Sequence, residues 1–186
     1  MVIYLIRHGM TRGNAEKRYI GRTDEPLCKE GREQLKMLHY PRCELLVCSP
    51  MERCVESAEI LFAGQPMVLC DELREVDFGD FEGKNHAELD GCTDYQAWID
   101  SGGSKPFPNG EAPDDFRRRC CEGFLRTVTK HSAAQSIAFV VHGGTIMSVL
   151  DRFAVPHRSY YEWLCGNGRG YRCVFDGKSI FDTERS

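Results

Sequence analysis

Two histidines in matching surroundings are the residues of this sequence best suited to chemistry. His8 follows the apolar run 2–6, His142 follows the apolar run 137–141, and a glycine comes directly after each histidine. In open α/β sheets ligands bind beyond the carboxyl ends of the strands, where both histidines are expected to lie. A single histidine at a strand end is usually structural, but two in matching positions favour a functional site.

Two arginines add positive charge to the same region. Arg7 directly precedes His8, and Arg53 lies in the first turns of a helix predicted to follow the apolar run 43–48. Alone, Arg53 would be interpreted as a solvated surface charge. Beside Arg7, two histidines and a helix N-terminus, it predicts a pocket for a phosphoryl group, because guanidinium donors pair with phosphate oxygens. Phosphoryl transfer depends on positioning and charge stabilisation, so this pocket needs no metal ion.

Several short motifs, in the same order along the chain, resemble those of the histidine phosphatase superfamily, also called phosphoglycerate-mutase-like. The motifs cover about residues 2–150. They are RHGMTRGN from Arg7, GRTDEPL from Gly21, SPMER from Ser49, LREVDFG from Leu73, FEG from Phe81, GE from Gly110 and HGG from His142. One departure is Cys28, which stands where the family usually has a helix-capping Thr or Ser.

The resemblance implies a role for each matching residue. His8 would be the nucleophile that forms a phosphohistidine. Glu75 would protonate the leaving alcohol and then deprotonate the attacking water, although composition alone suggests a solvated charge in an acidic loop. A proton donor near neutral pH needs a raised pKa, which burial or acidic neighbours would supply. The implied phosphoryl-binding residues are Arg7, Arg53 and His142, with Asn14 and the amide of Gly143 as weaker candidates.

The elements that position these residues alternate between strand and helix. This order predicts an α/β three-layer sandwich with a mostly parallel central sheet, helices on both faces and a short helical cap inserted at about 84–110. Helices are expected at 29–40, 113–131 and 145–153, and a hairpin at 171–181 closes the sheet. Ser49, Pro50 and Glu52 form a capping-box pattern for the helix that carries Arg53.

Composition favours one globular domain spanning 1–186. The net charge of −4 offers no concentrated basic face for nucleic acid, and no apolar run is long enough to span a membrane. The short run 2–6 lacks the features of a signal peptide, so we expect a cytoplasmic protein. The 10 cysteines show no zinc spacing and are expected to be reduced and mostly buried, with metal or redox use as the alternative. A monomer and a homodimer are equally compatible with the sequence.

The expected function is a metal-independent phosphomonoesterase that acts through a phosphohistidine on a small phosphorylated metabolite, with no cofactor. Residues 78–83 resemble the small phosphatases of the family, which include α-ribazole 5'-phosphate phosphatases. The alternatives are a phosphoglycerate-type mutase and a phospho-ligand binding protein without turnover. Specificity is expected to reside in residues 10–22 and in the cap. The aromatic side chains of Tyr160, Tyr161 and Trp163 are either core or interface residues, which is the favoured interpretation, or a surface that stacks on a heterocyclic ligand.

Overall fold

A computed structural model describes residues 1–186, and its centre is one six-stranded sheet with the order β3-β2-β4-β1-β5-β6. The strands are β1 Val2–Arg7, β2 Leu45–Cys48, β3 Met67–Leu69, β4 Ser136–Val141, β5 Gly170–Phe175 and β6 Ile180–Arg185. Strands β1 to β4 pair in parallel, whereas β5 and β6 are antiparallel. The predicted mostly parallel sheet with a closing hairpin is confirmed.

Seven α-helices accompany the sheet. They are α1 Arg12–Ala15, α2 Lys29–Lys36, α3 Glu52–Leu61, α4 His86–Leu89, α5 Thr93–Asp100, α6 Pro113–Lys130 and α7 Gly143–Phe153. Three short 3-10 helices occur at Asp71–Leu73, Gly79–Phe81 and Tyr160–Trp163. None of the helices combines the length and the apolar character that a membrane crossing requires.

Alternation along β4 divides the core into two layers, because successive strand residues point to opposite faces. Ile137, Phe139 and Val141 belong to the cluster that packs against α6 and α7. Ala138 and Val140 belong to the cluster that packs against α3 on the other face. Helices therefore cover both faces, as the sequence predicted.

A third cluster lies outside the sheet and is rich in aromatic side chains. It joins the 84–110 segment, which contains α4 and α5, to the first turn of α6. Its buried members include Phe81, Tyr95, Phe107 and Phe116, and partly buried aromatic side chains pack against them. These aromatic residues bring the 84–110 segment to the edge of the sheet where the two histidine strands end.

The predicted cap of α3 is wrong. Its N-cap residue is Met51, which makes no side-chain capping bond, and the helix begins at Glu52. The Ser49 hydroxyl instead lies 2.8 Å from the imidazole of His142, a partner that a local sequence pattern cannot reveal. At the start of α2 the unusual Cys28 does act as a cap, since its sulfur accepts a hydrogen bond from the Gly31 amide.

The structure also differs from the sequence prediction in the length of α2 and confirms the state of the cysteines. Helix α2 ends at Lys36 rather than continuing to Tyr40, because the last residues of the predicted segment do not extend its buried face. All ten cysteines are free and seven of them are buried, several within the two core layers. They serve as small apolar side chains in the core.

Candidate active site

His8 and His142 lie side by side at the carboxyl edge of the sheet. Strands β1 and β4 are parallel neighbours, with Arg7 opposite Val141, so the residue that follows each strand reaches the same place. The imidazole rings are 5.2 Å apart between centroids and meet edge to face. Only 4% of His8 and none of His142 is exposed. The strand-end pattern therefore does bring the two histidines together.

The hydrogen bond of His8 fixes its tautomer. His8 Nδ1 lies 2.7 Å from the carbonyl oxygen of Gly9, and because a carbonyl only accepts, Nδ1 must carry the proton. The lone pair is then on Nε2, the nitrogen available as a nucleophile. Burial, followed by the charges of Arg53 and Arg7, lowers the pKa of His8 well below its ordinary value. His8 is therefore neutral at physiological pH.

Two guanidinium groups beside these rings are held by backbone carbonyls rather than by acids. Arg53 is completely buried and donates to the carbonyls of Thr23 and Gly21, both at 2.8 Å. Arg7 donates to the carbonyl of Cys165 at 2.7 Å. In each arginine the Nε–H is buried and has no hydrogen-bond partner. Two buried, unsatisfied cationic donors near one histidine are a strong indication of an anion site.

His142 stands at the N-terminus of α7, where the helix offers free amide groups. Burial, Arg53 and His8 lower its pKa well below the ordinary value, so it too is neutral. The Ser49 hydroxyl at 2.8 Å from Nε2 fixes the ring. Gly143 is the first residue of α7, so its N–H has no partner within the helix and can meet an anion.

Glu75 approaches the same helix N-terminus. Its carboxyl oxygens accept from the amide of Val76 at 3.0 Å and from that of Gly144 at 3.3 Å. Glycine at position 144 leaves room for this contact, because a Cβ atom there would press against Glu75 Oε1 and the ring of Phe116. Burial raises the pKa of Glu75, although the two amides and Arg53 oppose this shift. Glu75 therefore holds its proton to higher pH than an ordinary glutamate does.

Arg119 holds the segment that carries Glu75, and sequence reasoning missed it. Its guanidinium forms a paired ion bridge with Glu111, at 2.8 and 2.7 Å. The same group donates to the backbone carbonyls of Glu72, Arg74 and Glu75. The sequence feature that could have indicated Arg119 is the Gly110-Glu111 motif just before α6, because Glu111 is partly buried and needs a cationic partner.

Asn14 is adjacent to the pocket and helps to hold it. Its Oδ1 accepts from the Thr11 amide at 3.2 Å and from Asn167 Nδ2 at 3.0 Å, while its own Nδ2 has no protein partner. Asn167 also donates to the carbonyls of His8 and Gly9. Asn167 therefore ties the loop after β1 to the chain just before β5. No sequence motif pointed to Asn167.

Two cavities open on either side of Glu75. The polar cavity, of about 400 Å³, is lined by Arg22, Met51, Asp71, Arg74, Asp77, Gly110, Glu111 and Arg119 together with Glu75. The aromatic cavity, of about 300 Å³, reaches Arg7, Glu75 and Gly143, and most of its wall is apolar. Of the three aromatic residues singled out in the sequence, Tyr160 and Tyr161 line this cavity, whereas Trp163 is core.

The assembled groups can support phosphoryl transfer. The set combines a neutral imidazole with a free Nε2, two unsatisfied guanidinium donors, a helix N-terminus and a carboxyl group whose pKa is raised by burial. No three histidine, cysteine, aspartate or glutamate side chains are grouped as metal ligands.

The chain belongs to the histidine phosphatase superfamily (branch 1), whose sequence model matches residues 3–180. This membership confirms the predicted class, a phosphoric monoester hydrolase of the histidine phosphatase type. The adenosylcobalamin/alpha-ribazole phosphatase of Escherichia coli K12 is 31% identical over 177 residues, which cover 90% of this chain and 87% of the relative.

Solved structures agree with this assignment. The alpha-ribazole phosphatase of Shigella flexneri superposes with a TM-score of 0.83 at 26% identity, covering 97% of this chain and 93% of that one. A phosphoglycerate mutase of Thermus thermophilus superposes with a TM-score of 0.77 at 28% identity, covering 98% of both chains. The α/β fold is therefore that of the superfamily.

Proposed function

We propose that the chain is a phosphomonoesterase that passes the phosphoryl group first to His8 and then to water. One observation carries the proposal. Arg7 and Arg53 each bury an Nε–H without a partner, next to an imidazole whose nucleophilic nitrogen is unprotonated. A phosphoryl group satisfies all three requirements at once, since it accepts from both arginines and offers phosphorus to Nε2.

The first step transfers phosphorus from oxygen to nitrogen. His8 Nε2 attacks phosphorus, the bond from phosphorus to the leaving oxygen breaks, and Glu75 gives its proton to that oxygen. Arg7, Arg53, His142 and the Gly143 amide would hold the three equatorial oxygens, where negative charge accumulates. Asn14 would add a weaker contact through its unpartnered Nδ2.

The second step restores the enzyme. Glu75, now a carboxylate, takes a proton from water, whose oxygen attacks phosphorus and breaks the bond to His8. Inorganic phosphate leaves, and both His8 and Glu75 return to their starting protonation states. The net reaction consumes one ester and one water and releases one alcohol and one phosphate.

For the leaving alcohol we propose α-ribazole, so that α-ribazole 5'-phosphate is the first substrate to test. Two observations support it: the Escherichia coli and Shigella relatives are named as alpha-ribazole phosphatases, and an aromatic cavity lies beside Arg7 and Glu75. The base of α-ribazole is a flat heterocycle, which suits aromatic walls.

The test is phosphate release from a panel of monoesters with a chelator present. The panel contains α-ribazole 5'-phosphate, 3-phosphoglycerate, a sugar phosphate, a nucleotide and 4-nitrophenyl phosphate. We expect chelator-resistant activity that vanishes in His8→Ala and persists in His39→Ala, a matched change at an exposed histidine. Acid-labile, alkali-stable phosphate bound to the wild type but not to His8→Ala would identify the intermediate.

Other outcomes would contradict the proposal. Phosphate exchange between the 2- and 3-positions of phosphoglycerate without net hydrolysis would make the chain a mutase. Phosphoester binding without release from any ester would make it a binding protein. Full activity in His8→Ala would mean that His8 is not the nucleophile.

A further inference from the structure

The aromatic cavity reaches more of the proposed phosphoryl-binding residues than the polar cavity does. Both cavities include Glu75, but only the aromatic cavity also reaches Arg7 and Gly143. If phosphorus lies beside Arg7 and the leaving oxygen beside Glu75, the rest of the alcohol extends into the aromatic cavity. Its walls come from several elements, among them the 84–110 segment, the start of α6, the start of α7 and the 3-10 helix Tyr160–Trp163.

The cavity contains an arginine that the protein leaves without a counter-charge. Arg117 is half-buried and stacks on the ring of Tyr160, with its guanidinium carbon 4.1 Å from the ring centroid. The next two residues of α6 both have acidic partners, since Arg118 pairs with Asp115 and Arg119 with Glu111.

The same wall contains a buried donor without a partner. The indole N–H of Trp98 is buried and has no hydrogen-bond partner. Such groups are rare inside apolar walls, because burying a donor without an acceptor is costly. The Trp98 indole and the Arg117 guanidinium, which has no acidic partner, lie among flat aromatic side chains and indicate a ligand that is itself flat and carries an acceptor.

On the basis of the proposed function, we infer that Arg117 determines specificity by meeting a hydrogen-bond acceptor on an aromatic ring of the leaving group. The preferred substrates are therefore phosphomonoesters whose leaving group carries an aryl or heteroaryl ring with a ring nitrogen, carbonyl or carboxylate at the end remote from the phosphate. Arg117 binds that acceptor through its guanidinium N–H groups, and the aromatic walls enclose the ring.

The experiment compares phenyl phosphate with 4-carboxyphenyl phosphate in the wild type, Arg117→Met, Arg117→Lys and Arg118→Met. Each ester is compared with itself between enzymes, so differences in leaving-group pKa cancel. We expect Arg117→Met to lower kcat/KM for the carboxy ester about 10- to 100-fold, the range for a hydrogen bond to a charged group. For phenyl phosphate the change should stay within about twofold. Arg117→Lys should retain part of the preference, and Arg118→Met should behave as wild type.

A neutral acceptor is tested with 4-acetylphenyl phosphate, which separates hydrogen bonding from charge attraction. If Arg117→Met lowers kcat/KM for both the carboxy ester and the acetyl ester, the inference is supported in full. If it lowers kcat/KM for the carboxy ester alone, the acceptor that Arg117 binds must be an anion. Equal losses on phenyl and carboxy esters, or no loss on either, would overturn the inference while hydrolysis through His8 stands. Failure of the wild type to hydrolyse these aryl esters while it hydrolyses other phosphomonoesters would overturn the inference alone. Hydrolysis that survives His8→Ala would overturn the proposed function, on which the inference rests.

Discussion

The polar cavity and the aromatic cavity share Glu75 but differ in how their arginines are satisfied. Around the polar cavity Arg22 pairs with Asp77, Arg74 with Asp71 and Arg119 with Glu111, so each cation already has its anion. In the aromatic cavity Arg117 has no acid within 4 Å, and Arg7 buries an unpartnered Nε. Volume does not distinguish the two cavities, but unsatisfied charge does.

The difference shows that an arginine marks a ligand site only when the protein has not already paired it. The polar cavity is richer in arginine, yet its cations hold loops together. The aromatic cavity has fewer charges, but those charges are available. The following changes test this distinction, beginning with the residue that the two cavities share.

Glu75→Gln should have the largest effect of this series, because it removes the proton donor and keeps the shape. For ethyl phosphate we expect kcat/KM to fall about 10³-fold, within the range for a general acid. For 4-nitrophenyl phosphate the fall should be much smaller, since nitrophenolate leaves without a proton. Equal losses on both esters would remove Glu75 from the role of acid.

Arg119→Met should impair both stability and turnover. It leaves the Glu111 carboxylate unpaired and three backbone carbonyls without a donor, so we expect a loss of about 2–4 kcal/mol in the free energy of unfolding. Because Arg119 positions Glu75, kcat should fall about 10-fold or more while KM changes little. Denaturant unfolding and steady-state kinetics, with Arg118→Met as the control, measure both effects.

The pH profile should report the raised pKa of Glu75. The first step needs protonated Glu75 and neutral His8. A raised Glu75 pKa therefore extends activity to higher pH, and a lowered His8 pKa extends it to lower pH. Above the Glu75 pKa, kcat/KM for ethyl phosphate should fall about tenfold per pH unit. This decrease of kcat/KM at high pH should be absent in Glu75→Gln. Ionisation of the substrate affects both enzymes equally, so a difference between their pH profiles reports on Glu75.

Trp98→Leu should affect only the aromatic cavity. Loss of one aromatic wall should lower kcat/KM for phenyl phosphate about fivefold, the size of a typical ring contact. Ethyl phosphate, which has no ring to enclose, should be hydrolysed at the wild-type rate. A loss that was the same for both esters would mean that Trp98 only supports the fold.

Arg22→Met should have the smallest effect. Arg22 is 75% exposed, and its ion pair with Asp77 is of the surface kind that contributes little stability. We expect kcat/KM to stay within about twofold for every ester and the free energy of unfolding to change by less than about 0.5 kcal/mol. A tenfold loss would show that substrate contacts the polar cavity after all.

The sequence predicted the parts of the candidate site that depend on local pattern and strand register. His8 and His142 each end an apolar run, and parallel pairing of β1 with β4 is enough to bring them together. It could not predict the partners of Ser49, because the capping-box pattern is local and His142 is 93 residues away. The Ser49 hydroxyl bonds to His142 instead of capping α3.

The three consecutive arginines of α6 also show that a local sequence pattern cannot reveal the partners of a side chain. Arg117, Arg118 and Arg119 are identical as residue types, and nothing local distinguishes them. Because a helix turns by about 100° per residue, the three side chains point in three directions. One faces the aromatic cavity, one pairs with Asp115 on the helix surface, and one reaches Glu111. The three arginines therefore acquire different roles only in the folded protein, where each side chain meets different surroundings.

The central position of β1 has a consequence for how the protein must be synthesised. Strand β1 pairs with β4 on one side and with β5 on the other, so both partners emerge from the ribosome more than 130 residues after it. Until then β1 has no neighbouring strand on either edge, and the loop after β1 lacks the hydrogen bonds that Asn167 donates to the His8 and Gly9 carbonyls. The nascent chain thus carries His8 in an unformed site, and the candidate active site can be complete only after β5 has been made.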